Sequence, residues 1–420
     1  MPKYDFHQAL LTATFRLSLT IMQLLTTSSL LNDLQCANCG HTHSAHIRQT
    51  LSVCCQAPLL CRYELPEASV SKADLLTRPY SLWRYEEFLP VFQAENRVSL
   101  GEGWTPLLSV DRLANTYGLH HLTLKDEGLN PTGSFKARGL SLAISKAKEN
   151  GERACIVPTA GNAGVATAAY CARAGLESVV VMPRHTPDAF KDECLAYNAR
   201  LILVDGLIND CAAKVQEMNQ AGFYFDVSTL KEPYRLEGKK TMGYEIAEQM
   251  NWQLPDVIMY PTGGGTGLIG IWKAFHELKR LGWLSQHQHL PRMVAVQAEE
   301  CCPVVQTFLG YQKNCKQYVG KPTLANGLAV PRPIGESLML DVLRESGGTA
   351  LAISETDMLD GARELCQQEG LFVAPEGGAI WAATKKLLAQ GWIRPDEHVL
   401  LLNTGSGQKY MENMKDNRLG

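Results

Sequence analysis

The stretch Val257-Ile-Met-Tyr-Pro-Thr-Gly-Gly-Gly-Thr-Gly267 joins a short apolar run to a glycine-rich turn, and a helical pattern follows directly. A buried strand that passes through glycines into a helix is the repeating unit of parallel sheets covered by helices. Backbone N–H groups in such a turn converge on an anion at the helix N-terminus, where the helix dipole favours negative charge. The turn lacks the Lys-Ser/Thr ending of a nucleotide-binding loop, so it predicts a site for a single phosphate. A turn that serves only tight packing is the alternative.

The alternation of strand and helix continues on both sides of this stretch. Apolar runs rich in leucine and β-branched residues predict strands at 122–125, 154–158, 178–183, 200–204, 257–261, 293–297 and 398–403. Helical periodicity predicts helices at 134–149, 163–173, 208–220, 239–250, 267–281, 354–368 and 378–389. We therefore expect an α/β fold with parallel-rich twisted sheets flanked by helices.

The composition is that of a globular protein. The chain has 420 residues, of which 45% are hydrophobic, with 40 Lys+Arg against 43 Asp+Glu. At roughly 150 residues per domain, this length indicates two or three domains. A disordered chain would carry a larger net charge and fewer apolar residues. The near-neutral balance, without a basic stripe, argues against nucleic-acid binding, whereas a small anionic metabolite needs only a local pocket.

The cysteines and the N-terminal segment favour a cytoplasmic protein without membrane contact. The chain has 13 cysteines, and an odd, scattered set favours reduced thiols over a disulfide framework. Residues 10–31 are largely apolar, but Arg16 and several Ser and Thr residues leave no run long enough to cross a membrane. We interpret this segment as a short amphipathic helix or as a non-native extension upstream of a start at Met22.

The cysteine-rich stretch from residue 34 to residue 65 predicts a small ribbon-like knuckle. Cys36 and Cys39 have the spacing at which two thiolates reach one Zn²⁺ from a tight turn. Cys54 and Cys55 are candidates for the other two ligands, although adjacent cysteines tend to point apart, and a histidine is an alternative ligand. A structural zinc site and a ribbon that has lost its metal both fit this pattern.

A second loop, Pro158-Thr-Ala-Gly-Asn-Ala-Gly164, also joins a predicted strand to a predicted helix. Free N–H groups, the Thr159 hydroxyl and the Asn162 amide at a helix N-terminus suit a carboxylate. An ordinary N-cap beside a close-packed glycine explains the same pattern. The loop is therefore a candidate carboxylate site.

The stretch Asn130-Pro-Thr-Gly-Ser-Phe-Lys-Ala-Arg-Gly139 places Lys136 in the first turn of a predicted helix. An ammonium near the positive end of a helix dipole is disfavoured, which lowers the lysine pKa and favours the nucleophilic neutral amine. Lys136 is therefore suited to a Schiff base. A solvated surface lysine is the default alternative for any single lysine.

These motifs, taken in order, resemble those of a known family. Together with Gly101-Glu-Gly-Trp-Thr-Pro-Leu107 and Leu402-Asn-Thr-Gly-Ser-Gly-Gln-Lys409, they resemble the fold-type II pyridoxal-phosphate enzymes of the tryptophan synthase β family, specifically the threonine synthases. The resemblance implies two lobes: a large cofactor-binding domain at 67–142 and 238–420, and a small α/β domain at 143–237. Residues 1–66 would form the extension and the knuckle. A homodimer, and closure of the small domain over substrate, are also implied.

The resemblance further implies a role for each motif. Lys136 would be the catalytic residue, which holds pyridoxal 5'-phosphate as a Schiff base and moves protons at the substrate's Cα and Cβ. The implied cofactor-binding residues are Phe135, Lys136, Asn162, Gly263, Gly264, Gly265, Thr266, Gly267 and Thr404. The implied substrate-binding residues are Ser134, Arg138, Thr159, Ala160, Gly161 and Asn162. Thr404 would meet the pyridine nitrogen, where its neutral hydroxyl makes the ring a milder electron sink than an aspartate would.

A threonine synthase converts O-phosphohomoserine and water to threonine and phosphate by elimination and replacement. The candidates by residue type for holding the substrate phosphate are Ser134, Lys125, Arg138, Arg184 and Lys191, with surface ion pairs favoured for the last two. The sequence Lys136-Ala-Arg-Gly139, however, is similar to that of many serine and threonine ammonia-lyases. The alternatives are therefore an ammonia-lyase, a synthase-like enzyme that uses another phospho-amino acid, and a non-catalytic cofactor-binding protein.

Overall fold

The computed structural model describes residues 29–66 and 70–412. Most of the segment 10–31 lies outside these residues, and Leu31 opens the first described strand. Among the described residues, no helix is both long enough and apolar enough to cross a membrane. Three sheets, with helices around the two larger ones, make up the described chain.

The elements follow one another in a mostly alternating order. The strands are β1 Leu31–Cys36, β2 Thr42–Ser44, β3 Leu59–Tyr63, β4 Leu107–Ser109, β5 His121–Asp126, β6 Ala154–Pro158, β7 Glu177–Pro183, β8 Arg200–Val204, β9 Phe225–Asp226, β10 Val257–Pro261, β11 Arg292–Ala298, β12 Thr349–Ile353 and β13 His398–Asn403. The α-helices are α1 Lys72–Leu75, α2 Asp111–Tyr117, α3 Lys136–Glu149, α4 Asn162–Ala174, α5 Asp188–Ala196, α6 Ile208–Met218, α7 Tyr234–Gln249, α8 Thr266–Arg280, α9 Pro303–Phe308, α10 Glu336–Glu345, α11 Glu355–Glu369 and α12 Pro375–Ala389. Short 3-10 helices lie at Leu82–Phe88, Ala94–Asn96, Glu127–Leu129, Pro131–Gly133, Cys315–Gln317, Asn326–Leu328 and Gly407–Tyr410.

Two parallel-rich sheets position the loops that carry the motifs. The larger has the order β12-β11-β10-β13-β5-β4, with only the edge strand β4 antiparallel, and the smaller is parallel throughout in the order β8-β7-β6-β9. Alternate β10 residues pack on opposite faces, with Ile258 in the cluster that contains Leu268 of α8 and Met259 in the cluster that contains Trp381 of α12. Ligands in such sheets bind beyond the carboxyl ends of the strands, where the motif loops lie.

All strands predicted from apolar runs are present within one residue at either end, and the α/β class with parallel-rich sheets is confirmed. The prediction missed β4, β9 and β12, because these strands are short or poor in β-branched residues and lack a periodic signal. It also missed helices, among them α5 and α10. The domain boundaries at 66, 142 and 237 stay a prediction.

The cysteine-rich knuckle forms a third, antiparallel sheet in the order β2-β1-β3. Its Arg48 donates to the backbone oxygens of Gly222 (2.9 Å) and Tyr224 (2.6 Å), which precede β9 of the smaller sheet. On the other side, Lys273 of α8 donates to Cys61 O (2.7 Å). The knuckle therefore contacts both of the parallel-rich parts of the molecule.

A buried group of four charged side chains, the charge cluster, joins β5, α3 and α7. Arg138 donates to both carboxylate oxygens of Glu127 (2.6 and 2.8 Å) and to both of Glu245 (2.6 and 2.7 Å). Lys125 Nζ lies 2.9 Å from Glu245. None of the four side chains is exposed. Burial alone would raise the pKa of Glu245, but Arg138 and Lys125 lower it to about 2, so the carboxylate stays charged.

We expect Glu245→Gln to lower the free energy of unfolding by about 3–5 kcal/mol, because it leaves buried positive charge without a partner. Denaturant unfolding monitored by circular dichroism measures the loss. The control is Glu217→Gln, which removes the exposed pair Lys214–Glu217 and should cost less than about 1 kcal/mol. Equal small losses in both variants would contradict the structural importance of the charge cluster.

Candidate active site

Lys136 is the first residue of α3 and lies where two distant parts of the chain meet. The N–H of Phe135 donates to Thr404 O at 3.1 Å. Ser134 and Gly405 form an antiparallel bridge beside this bond. Backbone hydrogen bonds thus hold the motif around Lys136 next to the motif that follows β13.

Two adjoining chambers share Lys136. The first, which we call the cleft chamber, is lined by residues of the segments 158–163, 228–231 and 326–334. The second, the glycine-loop chamber, is lined by Phe135, Tyr260, Gly263, Gly264, Gly265, Thr266, Glu376, Thr404 and Gly405, among others. Residues that line both are Lys136, Asn162, Thr229, Gly264 and Gly327. The two chambers therefore form one continuous site. The predicted phosphate loop and the predicted carboxylate loop lie on either side of Lys136 within it.

The glycine-rich turn lies between β10 and α8, where the sequence predicts it. In the described part of the chain, no acceptor meets the N–H groups of Gly263 and Gly264, so both are available to an anion. A Cβ on Gly263 would lie 2.2 Å from Gly327 O, and a Cβ on Gly267 would lie 1.8 Å from the Tyr260 hydroxyl. Gly267 does not line either chamber. The glycines of this turn therefore allow close packing and also leave backbone N–H groups open to an anion.

The loop after β6 leads into α4, which begins at Asn162. The Thr159 hydroxyl accepts from the N–H groups of Gly161 (3.0 Å) and Gly164 (3.1 Å) and so holds the shape of the loop. The N–H groups of Ala160 and Asn162 meet no acceptor among residues 29–66 and 70–412. Both residues line the cleft chamber, so the open donors of this loop are backbone groups.

The Lys136 amine lies 4.4 Å from the centre of the Phe135 ring and makes no hydrogen bond or ion pair with a described residue. Burial and then the positive charge of Arg235 lower its pKa to about 7, while Glu376 acts in the opposite direction. Such an amine is largely neutral in mildly alkaline solution and is a good nucleophile. The low pKa expected from the sequence thus has burial as its main cause.

A hydrogen-bonded chain that sequence analysis missed runs along the chamber walls. Asn162 Nδ2 donates to the Tyr410 hydroxyl (3.3 Å), and Tyr410 donates to Glu376 Oε1 (3.0 Å). Asn162 Oδ1, Glu376 Oε2 and the Tyr260 hydroxyl are buried and have no partner among the described residues. Because buried polar atoms are normally paired, three such atoms around one chamber indicate a polar ligand.

Two cations of the cleft chamber, Lys231 and Arg332, were also missed. Arg332 is exposed and makes no ion pair within the described chain, whereas Lys231 Nζ lies 3.4 Å from Asp226. Ser228 and Thr229 add hydroxyl groups nearby. Both cations lie on loops without a recognisable motif, so only the folded chain brings them to Lys136.

Besides Gly267, the expected site residues Arg138, Lys125 and Ser134 lie outside both chambers, which corrects the assignments made from the sequence. Arg138 has its guanidinium occupied by Glu127 and Glu245 in the charge cluster, and Lys125 belongs to the same cluster. Ser134 is fully buried in the bridge to Gly405. The charged groups of Arg138 and Lys125 are thus held within the charge cluster and are not available to substrate.

Arg184 and Lys191 form the ion pairs that the sequence favoured. Arg184 Nε lies 2.6 Å from exposed Asp205, and Lys191 Nζ lies 3.0 Å from exposed Asp188. Neither cation lines a chamber. They therefore remain surface residues in the structure.

Four of the five knuckle cysteines converge. The Sγ atoms of Cys36, Cys39, Cys54 and Cys55 all lie within 4.8 Å of one another. His43 Nε2 lies 3.7 Å from Cys54 Sγ but is not part of this group. The adjacent cysteines thus meet the first pair in spite of their spacing, and four thiols suit a metal that prefers sulfur ligands, such as Zn²⁺.

The chain is similar to known enzymes over most of its length. The family model for pyridoxal-phosphate dependent enzymes matches residues 98–405. A threonine synthase of Methanocaldococcus jannaschii is 33% identical over 377 residues, which cover 89% of this chain and 92% of the relative. A threonine synthase of Methanosarcina acetivorans is 33% identical over 375 residues, covering 89% and 91%.

The fold is shared with a solved enzyme. The crystal structure of a diaminopropionate ammonia lyase from Escherichia coli superposes with a TM-score of 0.63 and 21% identity, over 75% of this chain and 88% of that one. At this identity the likeness shows the fold alone. Together with the family match and the two relatives, it leads to one conclusion: the chain belongs to the pyridoxal-phosphate-dependent enzymes of fold type II and, within them, to the threonine synthase family.

Proposed function

We propose that the chain converts O-phosphohomoserine and water to threonine and phosphate. The observation that carries this proposal is a pair of separate regions, each with groups suited to an anion, that meet at Lys136. One is the glycine-rich turn, and the other contains Lys231 and Arg332. A phosphorylated substrate bound beside a phosphorylated cofactor requires two such regions. The threonine synthase relatives support the same activity.

Pyridoxal 5'-phosphate fits the glycine-loop chamber. The open N–H groups of Gly263 and Gly264 suit its phosphate, and the unpaired buried atoms of Asn162 and Tyr260 suit polar atoms of its ring. When bound, the cofactor supplies an electron sink for carbon acids next to its attachment point. The proposed cofactor residues that line this chamber are Phe135, Lys136, Asn162, Gly263, Gly264, Gly265, Thr266 and Thr404.

The cleft chamber offers groups for each end of the substrate. The open N–H groups of Ala160 and Asn162 at the start of α4 suit the α-carboxylate. We assign the substrate phosphate to Lys231 and Arg332, which would hold it as the Cγ–O bond breaks. The Lys136 amine is the proposed base that moves protons at Cα and Cβ, because its pKa of about 7 lets it gain and lose a proton readily.

An ammonia-lyase is the second candidate because the sequence Lys136-Ala-Arg-Gly139 is typical of that class. Parallel assays on one preparation separate the two. We expect phosphate release from O-phosphohomoserine with matching threonine formation, and no oxoacid from threonine or serine. Oxoacid formation without phosphate release would favour the ammonia-lyase.

Lys136 of the cofactor-free protein should react with an acylating reagent half-maximally near pH 7, the pKa of about 7 that burial and Arg235 impose. Competitive labelling across a pH series, read by peptide mass spectrometry, measures this midpoint. Exposed lysines of the same protein serve as the reference, since an unperturbed lysine titrates near about 10.4. A shared midpoint for Lys136 and the exposed lysines would contradict the proposal.

Arg332→Gln should raise KM for O-phosphohomoserine by about 10- to 100-fold, because it removes a charge-assisted hydrogen bond to phosphate. Steady-state kinetics measure the effect, and the visible absorbance of the bound cofactor should stay unchanged. The control, Arg344→Gln, lies in an exposed pair with Asp341 and should leave KM unchanged. An unchanged KM in Arg332→Gln would show that the substrate phosphate binds to other residues.

We propose that the knuckle binds a structural Zn²⁺ through Cys36, Cys39, Cys54 and Cys55. Cys36→Ser should remove the metal and lower Tm, because binding of a structural zinc ion contributes directly to folding. Elemental analysis and thermal unfolding provide the readouts. The control, Cys366→Ser, changes a partly buried thiol outside this group. Unchanged metal content and Tm in Cys36→Ser would indicate a metal-free ribbon.

We propose a cytoplasmic location and a homodimer. Thirteen free thiols support a reducing compartment. The dimer and the closure of the 143–237 domain over substrate rest on the family resemblance. The convergence of groups from the smaller sheet and the larger sheet on the cleft chamber supports closure as the step that completes the site.

A further inference from the structure

Glu376 is a buried carboxyl to which the proposed function gives no role. It is the second residue of α12 and lines the glycine-loop chamber together with Lys136, Phe135 and Thr404. Only 4% of the surface of Glu376 is exposed. Burial of an acidic group is costly unless the group is paired and hydrogen-bonded. No arginine or lysine forms an ion pair with Glu376 within the described chain.

The two carboxyl oxygens of Glu376 have different surroundings. Oε1 accepts the N–H of Gly327 (2.8 Å) and the O–H of Tyr410 (3.0 Å). These two donors occupy both lone pairs of that oxygen. Oε2 is buried and has no partner among residues 29–66 and 70–412. One oxygen is therefore anchored, and the other is left for something that enters the chamber.

The surroundings shift Glu376 towards its neutral form. Burial raises the pKa of Glu376, and hydrogen bonds from its own backbone N–H, from Gly327 and from Tyr410, together with the charge of Lys136, oppose this effect only in part. Lys136 of α3 and Tyr410 of the last 3-10 helix are the titratable groups that act on it. Because Oε1 already accepts two hydrogen bonds, the proton of the neutral acid belongs on Oε2. A buried O–H without an acceptor suits a ligand that brings one.

We propose that Glu376 is a hydrogen-bond donor to the bound cofactor, with its Oε2 proton directed at an acceptor atom on the pyridine ring, either the ring nitrogen or the phenolic oxygen. A neutral donor orients the ring without adding a negative charge to it. The carboxyl would then act beside the Thr404 hydroxyl, which lines the same chamber. The inference rests on cofactor binding and is independent of which amino acid is the substrate.

Replacement of Glu376 by glutamine distinguishes the role of a hydrogen-bond donor from the role of an ionisable acid. In Glu376→Gln, the amide oxygen can accept from Gly327 and Tyr410 while the amide N–H₂ replaces the acid proton. Glu376→Ala removes the donor. The control is Glu397→Gln, a buried carboxyl that pairs with Arg292 at 2.6 Å and lines neither chamber.

Cofactor binding to the apoenzyme and the visible absorbance of the holoenzyme are measured across a pH series. We expect Glu376→Ala to weaken binding about tenfold or more, and Glu376→Gln to stay near wild type at low pH. In the wild type, binding should weaken as pH rises through the pKa of the acid, because ionisation removes the donor. Glu376→Gln should lack this pH-dependent step, and Glu397→Gln should keep it.

Thermal unfolding with and without cofactor gives a readout independent of turnover. The rise in Tm that cofactor produces should shrink in Glu376→Ala and be restored in Glu376→Gln. Equal rises in all variants would overturn the proposal in favour of a purely structural carboxyl. Glu376→Gln behaving like Glu376→Ala would overturn it in favour of a carboxylate. Normal cofactor binding by Glu376→Ala with a raised substrate KM would overturn it in favour of a substrate contact.

Discussion

The position of Lys136 depends on the buried charge cluster. A fully desolvated guanidinium is tolerated only when every face meets a partner, so Arg138 holds Glu127 and Glu245 at fixed places. The same carboxylates reach the loop before β4: Thr105 donates to Glu127 at 2.6 Å and the Trp104 N–H donates to Glu245 at 2.8 Å. One ionic cluster thereby joins that upstream loop, the end of β5, α3 and α7. The motif at 101–107 therefore has a supporting role at the site.

Much of the fold could be predicted because its signals are local. Each central strand is a continuous apolar run that ends in a turn residue, and this is the pattern of a strand buried on both faces. Open N–H groups at a helix N-terminus are also local, so the loops around Gly263 and Asn162 were found from sequence. The adjacent pair Cys54-Cys55 shows the limit, since its convergence with Cys36 depends on the pairing of β1 with β3.

The errors at the site have physical causes. Arg138 was assigned to substrate from its residue type and from the family resemblance, but residues two apart on a helix do not share a face. Lys136 therefore lies at the chambers, whereas Arg138 lies in the core. Arg332 and Glu376 were missed because neither belongs to a local pattern, and both reach Lys136 only through tertiary packing. The sequence indicates which side chains are able to do chemistry. It indicates much less well which of them lie close together in the folded protein.

The elimination and replacement chemistry assigned to Lys136 is tested most directly with O-phosphohomoserine in ¹⁸O-labelled water. If the Cγ–O bond breaks and water adds at Cβ, threonine carries ¹⁸O in its side-chain hydroxyl and the released phosphate carries none. Mass spectrometry of both products decides the outcome. Label in the phosphate would show simple ester hydrolysis, and an oxoacid in place of threonine would show a lyase without replacement. Either result would contradict the proposed reaction.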